Sequence, residues 1–185
     1  MDKFYIMGID PGSNNVGVSI FELDGKLEIV KIHTYNLVLN VDESNGIYDA
    51  VVDRLNKLSF MIKAIYNMYT PTMIGMESCF INPGRLGAVI PLSRSIHTIE
   101  TSIVSLDAYA KIISIPPGLI KKIFGVSQKG KDAVSEGLKS KLYLTSKIKK
   151  ELSEHEIDAV AITVTLLEYI KTTDGMSCIK YIDLE

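Results

Sequence analysis

The stretch FYIMGIDPGSNNVGVSIF, residues 4–21, constrains the fold more than any other part of the chain. An apolar run ends on an acidic residue, Asp10, and a Pro-Gly-Ser turn leads directly into a second apolar run. The turn is too short to contain a crossover helix, so the two strands are predicted to be antiparallel neighbours. A carboxylate at the end of a buried strand needs a cation or a hydrogen-bond donor beside it. Asp10 is therefore either a turn cap or a metal ligand.

The length and composition fit one α/β domain. The chain has 185 residues, 46% of them hydrophobic, which is enough for a sizeable core. We expect a single domain over residues 1–185, in which residues 172–185 form a tail without a recognisable pattern. No apolar run approaches the roughly 20 residues of a membrane span, and the N-terminus lacks the order of a signal peptide. A soluble, cytoplasmic protein without a membrane partner is expected, and its two cysteines are too few for a disulfide framework.

The charge is distributed unevenly along the chain. Residues 111–150 contain ten lysines and two acidic residues, a net charge of +8, whereas the rest of the chain carries −10. A basic segment on an acidic body is the electrostatic arrangement of a protein that presents one face to a polyanion. Solvated helix faces are the alternative explanation for the same lysines.

The rest of the pattern predicts a mixed β-sheet flanked by α-helices. Beyond the first two strands, we expect strands over 27–35, 72–77 and 109–115, and helices over 47–69, 91–106 and 153–171. Because Asp24-Gly25 is a hairpin signal, the first three strands should form an antiparallel meander, which parallel strands then extend. Pro91 should lie in the first turn of its helix or at a kink.

A second strand also ends on an acidic residue. Glu77 closes the predicted strand 72–77 as Asp10 closes the first strand. If these strands are neighbours in one sheet, their ends bring the two carboxylates within reach of one metal ion. Pairing of Glu77 with a nearby lysine or arginine is the structural alternative.

The segment SEHEID, residues 153–158, supplies further candidate ligands. Ser153 and Glu156 have the spacing of a capping box, so a helix should begin here and place His155 and Asp158 on one face of its first turn. Three acids and an imidazole at one end of a sheet suit Mg²⁺ or Mn²⁺, which support phosphodiester hydrolysis. A surface histidine and an acid that favours the helix dipole would explain the same residues without a metal.

Four stretches, in order, resemble the RuvC-type Holliday junction resolvases of the RNase H-like nuclease superfamily. GIDPGSNNVGVSI is similar to the opening strand-turn-strand of that family, and MIGMESCFINPGRLGAVIPLSRSIHTIE to its second acidic strand and its dimer helix. KKIFGVSQKGKDAV resembles the basic loop that grips DNA, and HEIDAVAITVT the closing helix. The four matches span roughly residues 4–170. The resemblance implies an RNase H-like mixed sheet flanked by helices.

The resemblance also implies roles for individual residues. The family's catalytic and metal-binding quartet corresponds to Asp10, Glu77, His155 and Asp158, which would hold two Mg²⁺ or Mn²⁺ ions per active site. Phe80 corresponds to an aromatic residue that inserts at the junction centre, and Lys131 to a basic residue near the scissile phosphate. The DNA-binding residues expected on this basis are Phe80, Arg85, Lys121, Lys122, Lys129 and Lys131.

The predicted function is that of a homodimeric, metal-dependent crossover junction endodeoxyribonuclease in DNA recombination and repair, in a bacterial cell or a phage-infected one. It would resolve four-way or other branched DNA by paired symmetric nicks, with residues 91–106 as the dimer contact. One alternative is an RNase H-like nuclease that acts on RNA–DNA hybrids or flap DNA. An actin-like nucleotide-binding protein is a second, although such proteins need two domains, and an inactive DNA-binding module is a third.

Overall fold

The computed structural model describes residues 3–41, 44, 46–78, 86–124 and 151–172. The strands in these ranges are β1 (Phe4–Asp10), β2 (Asn15–Leu23), β3 (Ile29–Val38), β4 (Met73–Glu77) and β5 (Ile112–Ile115). The helices are α1 (Ile47–Tyr69), α2 (Leu86–Val104), α3 (Pro117–Ile123) and α4 (Glu154–Lys171). Four of the predicted DNA-binding residues and most of the predicted tail lie outside the described residues: Phe80, Arg85, Lys129, Lys131 and residues 173–185.

The strands form one mixed sheet in the order β3-β2-β1-β4-β5. β1, β2 and β3 are the predicted antiparallel meander, and β4 and β5 extend it in parallel with β1. The register of β1 and β4 pairs Ile9 with Met76. Asp10 and Glu77, the next residues of these two strands, therefore lie at the same edge of the sheet, as predicted. The fold class predicted from the sequence is confirmed.

Helices cover both faces of the sheet. Ile6 of β1 packs in one core with side chains of α3 and α4, and Met7, the next residue, packs in a second core with side chains of α1 and α2. This alternation follows from the two-residue period of a strand. Because both faces are covered, β1 reads in the sequence as a continuous apolar run rather than an alternating one. None of the helices in the described ranges has the length and hydropathy needed to cross a membrane.

The turn between β2 and β3 is longer than predicted. Oδ1 of Asp24 accepts hydrogen bonds from the backbone N–H groups of Lys26 and Glu28, both at 2.9 Å. Leu27 has a φ of 64°, in the left-handed region that a strand cannot use. β3 therefore begins at Ile29, two residues later than expected, because the Asp24 side chain stabilises a wider turn.

Helix α2 begins five residues before the predicted start, with Pro91 inside it. Proline lacks an N–H group and leaves a carbonyl of the preceding turn without its helical partner, which in this helix is that of Gly87. Gly87 and Pro91 are both exposed, so water can reach this carbonyl. Pro91 is therefore tolerated inside α2 because this part of the helix is exposed. The sequence pattern predicts it at the start of the helix or at a kink.

Candidate active site

Two acidic side chains lie together at the edge where β1 and β4 end. Gly8 and Gly75 both face α4, since a Cβ atom on either would contact that helix. Asp10 and Glu77 lie two residues further along the same strands and therefore share this face. Asp10 is 8% exposed, and Glu77 is partly buried. The sheet thus holds two carboxylates beside α4 and largely out of water.

The first turn of α4 brings two more candidate residues to these carboxylates. The backbone N–H and the Oγ of Ser153 donate to Oε2 of Glu156 at 3.0 and 2.8 Å, and Ser153 Oγ accepts from the Glu156 N–H at 3.4 Å. This is the predicted capping box. It begins the helix so that Nδ1 of His155 lies 2.9 Å from Oδ2 of Asp10.

The pKa of Glu77 shows how the acidic groups affect one another. Burial is the main reason that its pKa rises to about 7, and the nearby charges of Asp10 and Asp158 raise it further. The charge of Lys121, at the end of α3, acts in the opposite direction. The pKa of Glu77, on β4, thus responds to charged groups on β1, α3 and α4.

Asp158 is perturbed in the same way. Burial raises its pKa to about 6, the charges of Asp10 and Glu154 add to the rise, and His155 partly offsets it. The pKa of the His155 imidazole is raised, as expected for a group that becomes a cation beside carboxylates. The hydrogen bond to Asp10 raises the pKa of His155, although burial opposes this effect. When it is protonated, His155 offsets part of the negative charge of the carboxylates.

The four side chains are not arranged as a closed metal site. Within the described ranges, no group of three or more His, Cys, Asp and Glu side chains is disposed to hold a metal ion as it stands. Asp10 is instead hydrogen-bonded to His155. The acidic groups therefore influence one another electrostatically, but in the described part of the chain they do not have the spacing of metal ligands.

The two described residues of the predicted DNA-binding set lie on α3. Lys121 and Lys122 are exposed in its last turn, and only for Lys121 does the structure give an interaction with the acidic site, through the pKa of Glu77. Lys121, within the basic segment 111–150, thus relates this segment to the candidate active site. Within the predicted quartet, the structure gives a direct contact between Asp10 and His155, and it relates Glu77 and Asp158 to Asp10 through their raised pKa values.

Small residues allow α4 to approach the sheet, and no role for them was predicted from the sequence. A Cβ atom on Gly8 would lie 2.7 Å from the carbonyl oxygen of Ala159 and 2.8 Å from the backbone nitrogen of Thr163, too close for any side chain. Ser19, the neighbour of Gly8 on β2, donates from Oγ to the same carbonyl at 2.9 Å. Glycine within a strand pattern is the signal that could have predicted this close approach.

A mixed sheet covered by helices on both faces, with carboxylates at the ends of its first and fourth strands, defines the RNase H-like fold. The model of the family "Crossover junction endodeoxyribonuclease RuvC" matches residues 6–166. The chain belongs to this family. It is a junction-resolving nuclease, and the family is one of divalent-metal-dependent nucleases.

Solved structures share this fold at low sequence identity. RuvC of Thermus thermophilus in complex with a Holliday junction substrate superimposes with a TM-score of 0.69 at 16% identity, over 91% of this chain and 96% of that one. A second structure of Thermus thermophilus RuvC gives 0.68 at 17% identity, with the same coverage. The yeast mitochondrial Holliday junction resolvase Ydc2 gives 0.51 at 11% identity, over 95% of this chain and 85% of that one. No curated protein sequence matches the chain.

Proposed function

We propose that this protein acts as a homodimer that introduces paired, symmetric nicks into four-way DNA junctions. The catalytic residues and metal ligands in this proposal are Asp10, Glu77, His155 and Asp158. The observation that carries it is the electrostatic coupling of these groups at one edge of the sheet. Side chains whose pKa values are displaced by burial and by like charges are typical of active sites.

Divalent metal binding fits the donor set. Three carboxylates and an imidazole are ligands that Mg²⁺ and Mn²⁺ accept, and the repulsion that raises the pKa values of Glu77 and Asp158 is relieved by a cation. We propose two ions per active site, which Asp10, Glu77, His155 and Asp158 would hold. When bound, such ions activate a water molecule for attack on phosphorus and stabilise the departing oxygen. Since no three such groups in the described part of the chain stand at ligand spacing, the proposal includes an adjustment of these side chains on binding.

His155 and Lys121 have distinct roles in the proposal. An imidazole next to a carboxylate can accept or release a proton near neutral pH, so His155 can move a proton during hydrolysis. Lys121 places an exposed positive charge beside Glu77, where it can meet a phosphate of the DNA backbone. Both roles use side chains that already lie at the acidic edge.

The DNA contact is proposed to follow the basic segment outward from α3. Phe80 would stack at the junction centre, and the basic residues would hold the backbone. The residues of this proposed surface are Phe80, Arg85, Lys121, Lys122, Lys129 and Lys131. The strongly basic segment 111–150, in a chain that is otherwise acidic, supports this choice.

The dimer contact is proposed to be α2. Ile90 is 59% exposed and Val104 is 49% exposed, so this helix has apolar side chains near both ends that are not covered within one chain. Two active sites related by a two-fold axis would account for paired nicks across a four-way junction. Each chain would contribute one domain with one site.

The test is cleavage of a labelled, immobile four-way junction by the purified protein with Mg²⁺. Linear duplex, flap DNA and an RNA–DNA hybrid serve as comparison substrates. We expect symmetric nicks in the junction, loss of cleavage in Asp158→Asn with junction binding retained, and full activity in Glu168→Gln, an exposed acid on the same helix.

Two results would contradict the proposal. Cleavage of the hybrid or the flap as fast as the junction would favour the alternative nuclease function. Junction cleavage that is unaffected by Asp158→Asn would mean that the catalytic residues are wrongly assigned.

A further inference from the structure

Gly17 lies where the candidate active site and the closing helix meet. On β2 it is the register partner of Asp10 on β1. On its other side it contacts the first turn of α4, at the backbone of His155. Gly17 therefore lies beside Asp10 in the sheet and also against the helix turn that carries His155.

The contact is too close for any other residue. A Cβ atom on Gly17 would overlap the carbonyl oxygen of His155, and it would lie 2.5 Å from the carbonyl carbon and 3.2 Å from the Cβ of the same residue. The obstructing atoms belong to a helix backbone, which cannot rotate away as a side chain can. A methyl group at position 17 must therefore lift the first turn of α4 from the sheet or distort it.

Neighbouring contacts hold α4 at this depth. Ser19, two residues further on the same face of β2, donates to the carbonyl oxygen of Ala159 at 2.9 Å, and its hydroxyl also contacts that of Thr163. Both hydroxyl-bearing residues are fully buried. The small residues of β2 thus set the distance between the sheet and the half of α4 that carries His155 and Asp158.

We propose that Gly17 is a positioning residue that sets how far His155 and Asp158 stand from Asp10, and so sets the affinity of the site for divalent metal. The proposal rests on the proposed function, because it assumes that these side chains are the ligands. Gly17 itself touches neither substrate nor metal. It acts by allowing α4 to approach until the imidazole is within hydrogen-bonding distance of the strand-end carboxylate.

The test uses Gly17→Ala in the full chain, with Gly75→Ala as the matched control. A Cβ atom on Gly75 would meet the movable end of Ile115, at 2.7 Å, and the side chains of Ile162 and Leu166 in α4 rather than the backbone of its first turn. Both variants add one methyl group beneath the same helix. Thermal unfolding should show some loss of stability in each.

The first measurement is made without metal. The ¹⁵N signals of the His155 imidazole report the hydrogen bond between Nδ1 and Asp10. We expect the signals to change in Gly17→Ala and to stay as in the wild type in Gly75→Ala. A glycine with only a structural role would lower the stability and leave these signals unchanged.

The second measurement is Mn²⁺ binding by calorimetry. Changes in the surroundings of metal ligands commonly weaken affinity by about 10- to 100-fold, and we expect Gly17→Ala to fall in that range and Gly75→Ala to lie near the wild type. His155→Ala should weaken binding less in the Gly17→Ala background than in the wild type, because the imidazole is already displaced. Additive losses would overturn the proposal.

The wild type and Asp10→Asn separate this proposal from the one on which it rests. If the wild type binds no Mn²⁺, or Asp10→Asn binds it equally well, the metal-site assignment fails. If the wild type binds and Gly17→Ala matches Gly75→Ala in affinity and in the His155 signals, only the positioning role fails. Should Gly17→Ala not fold, Ser19→Ala, which removes the hydrogen bond to Ala159, is measured instead and should shift both readouts in the same direction.

Discussion

At the scale of single residues, the molecule concentrates acidic groups where burial makes their charges unfavourable. Glu77 and Asp158 have pKa values of about 7 and about 6, both raised first by burial and then by neighbouring carboxylates. Asp10, which is also buried, is hydrogen-bonded to His155. The carboxylate charges that we propose for metal binding therefore destabilise the folded chain.

The first prediction follows from the pKa of Glu77. A carboxyl whose pKa is raised on folding contributes stability below its unfolded pKa, near 4.5, and this contribution is lost as the pH rises to about 7. At pH 8, Glu77→Gln should therefore stabilise the metal-free protein, by about 1–2 kcal/mol after allowance for solvent screening. Below pH 4.5 the gain should vanish. Urea unfolding at both pH values measures the difference, and Glu168→Gln, an exposed control, should show none.

The second prediction concerns the metal. Because metal ligands must be deprotonated, Mg²⁺ should raise the melting temperature of the wild type at pH 8 by more than at pH 5, where Glu77 and Asp158 are largely protonated. Asp10→Asn should abolish the effect at both pH values. A shift of equal size at pH 5 and pH 8 would contradict binding through these carboxylates. Thermal unfolding with and without Mg²⁺ is the measurement.

At the scale of secondary structure, the start of α4 determines the geometry of the site. The capping box between Ser153 and Glu156 begins the helix, and the small residues of β2 let it lie close to the sheet. Local side-chain chemistry sets where the helix begins. Its depth against the sheet is set by contacts with residues about 140 positions earlier in the chain.

The third prediction tests the cap. Ser153→Ala removes the side chain that bonds both the carboxylate and the N–H of Glu156, and it should lower the free energy of unfolding by roughly 0.5–2 kcal/mol. Ser93→Ala removes an exposed hydroxyl that bonds the carbonyl of Ile90, and it should cost less. Urea unfolding of both variants measures the comparison. Equal losses would mean that the cap contributes little.

At the scale of the whole molecule, the sheet separates two cores, and α1 and α2 lie on the face away from the acidic site. The apolar residues exposed on these two helices include Ile90 and Val104 of α2 and Phe60 of α1, the last 74% exposed. A dimer through α2 would bury some of this surface and leave the acidic edge, beside α3 and α4, open to DNA.

The fourth prediction tests that dimer. Ile90→Asp places a charge in the proposed contact and should shift the protein toward monomer, as measured by sedimentation. Paired nicking of a junction should then give way to single nicks. Phe60→Asp, at an apolar position on α1 that is even more exposed than Ile90, should leave the dimer intact. Dissociation by Phe60→Asp and not by Ile90→Asp would move the contact to α1.

The sequence by itself determined the strands, the acidic residues at their ends and the start of α4, because hydrophobic period, turn residues and capping spacing act over a few positions. Only the tertiary structure decided that α2 includes Pro91 and that Asp10 meets His155, 145 residues away. It also decided the raised pKa values, since burial depends on how α4 packs against the sheet. That packing depends on Gly8 and Gly17, and a glycine in a strand marks a close approach without showing which element approaches.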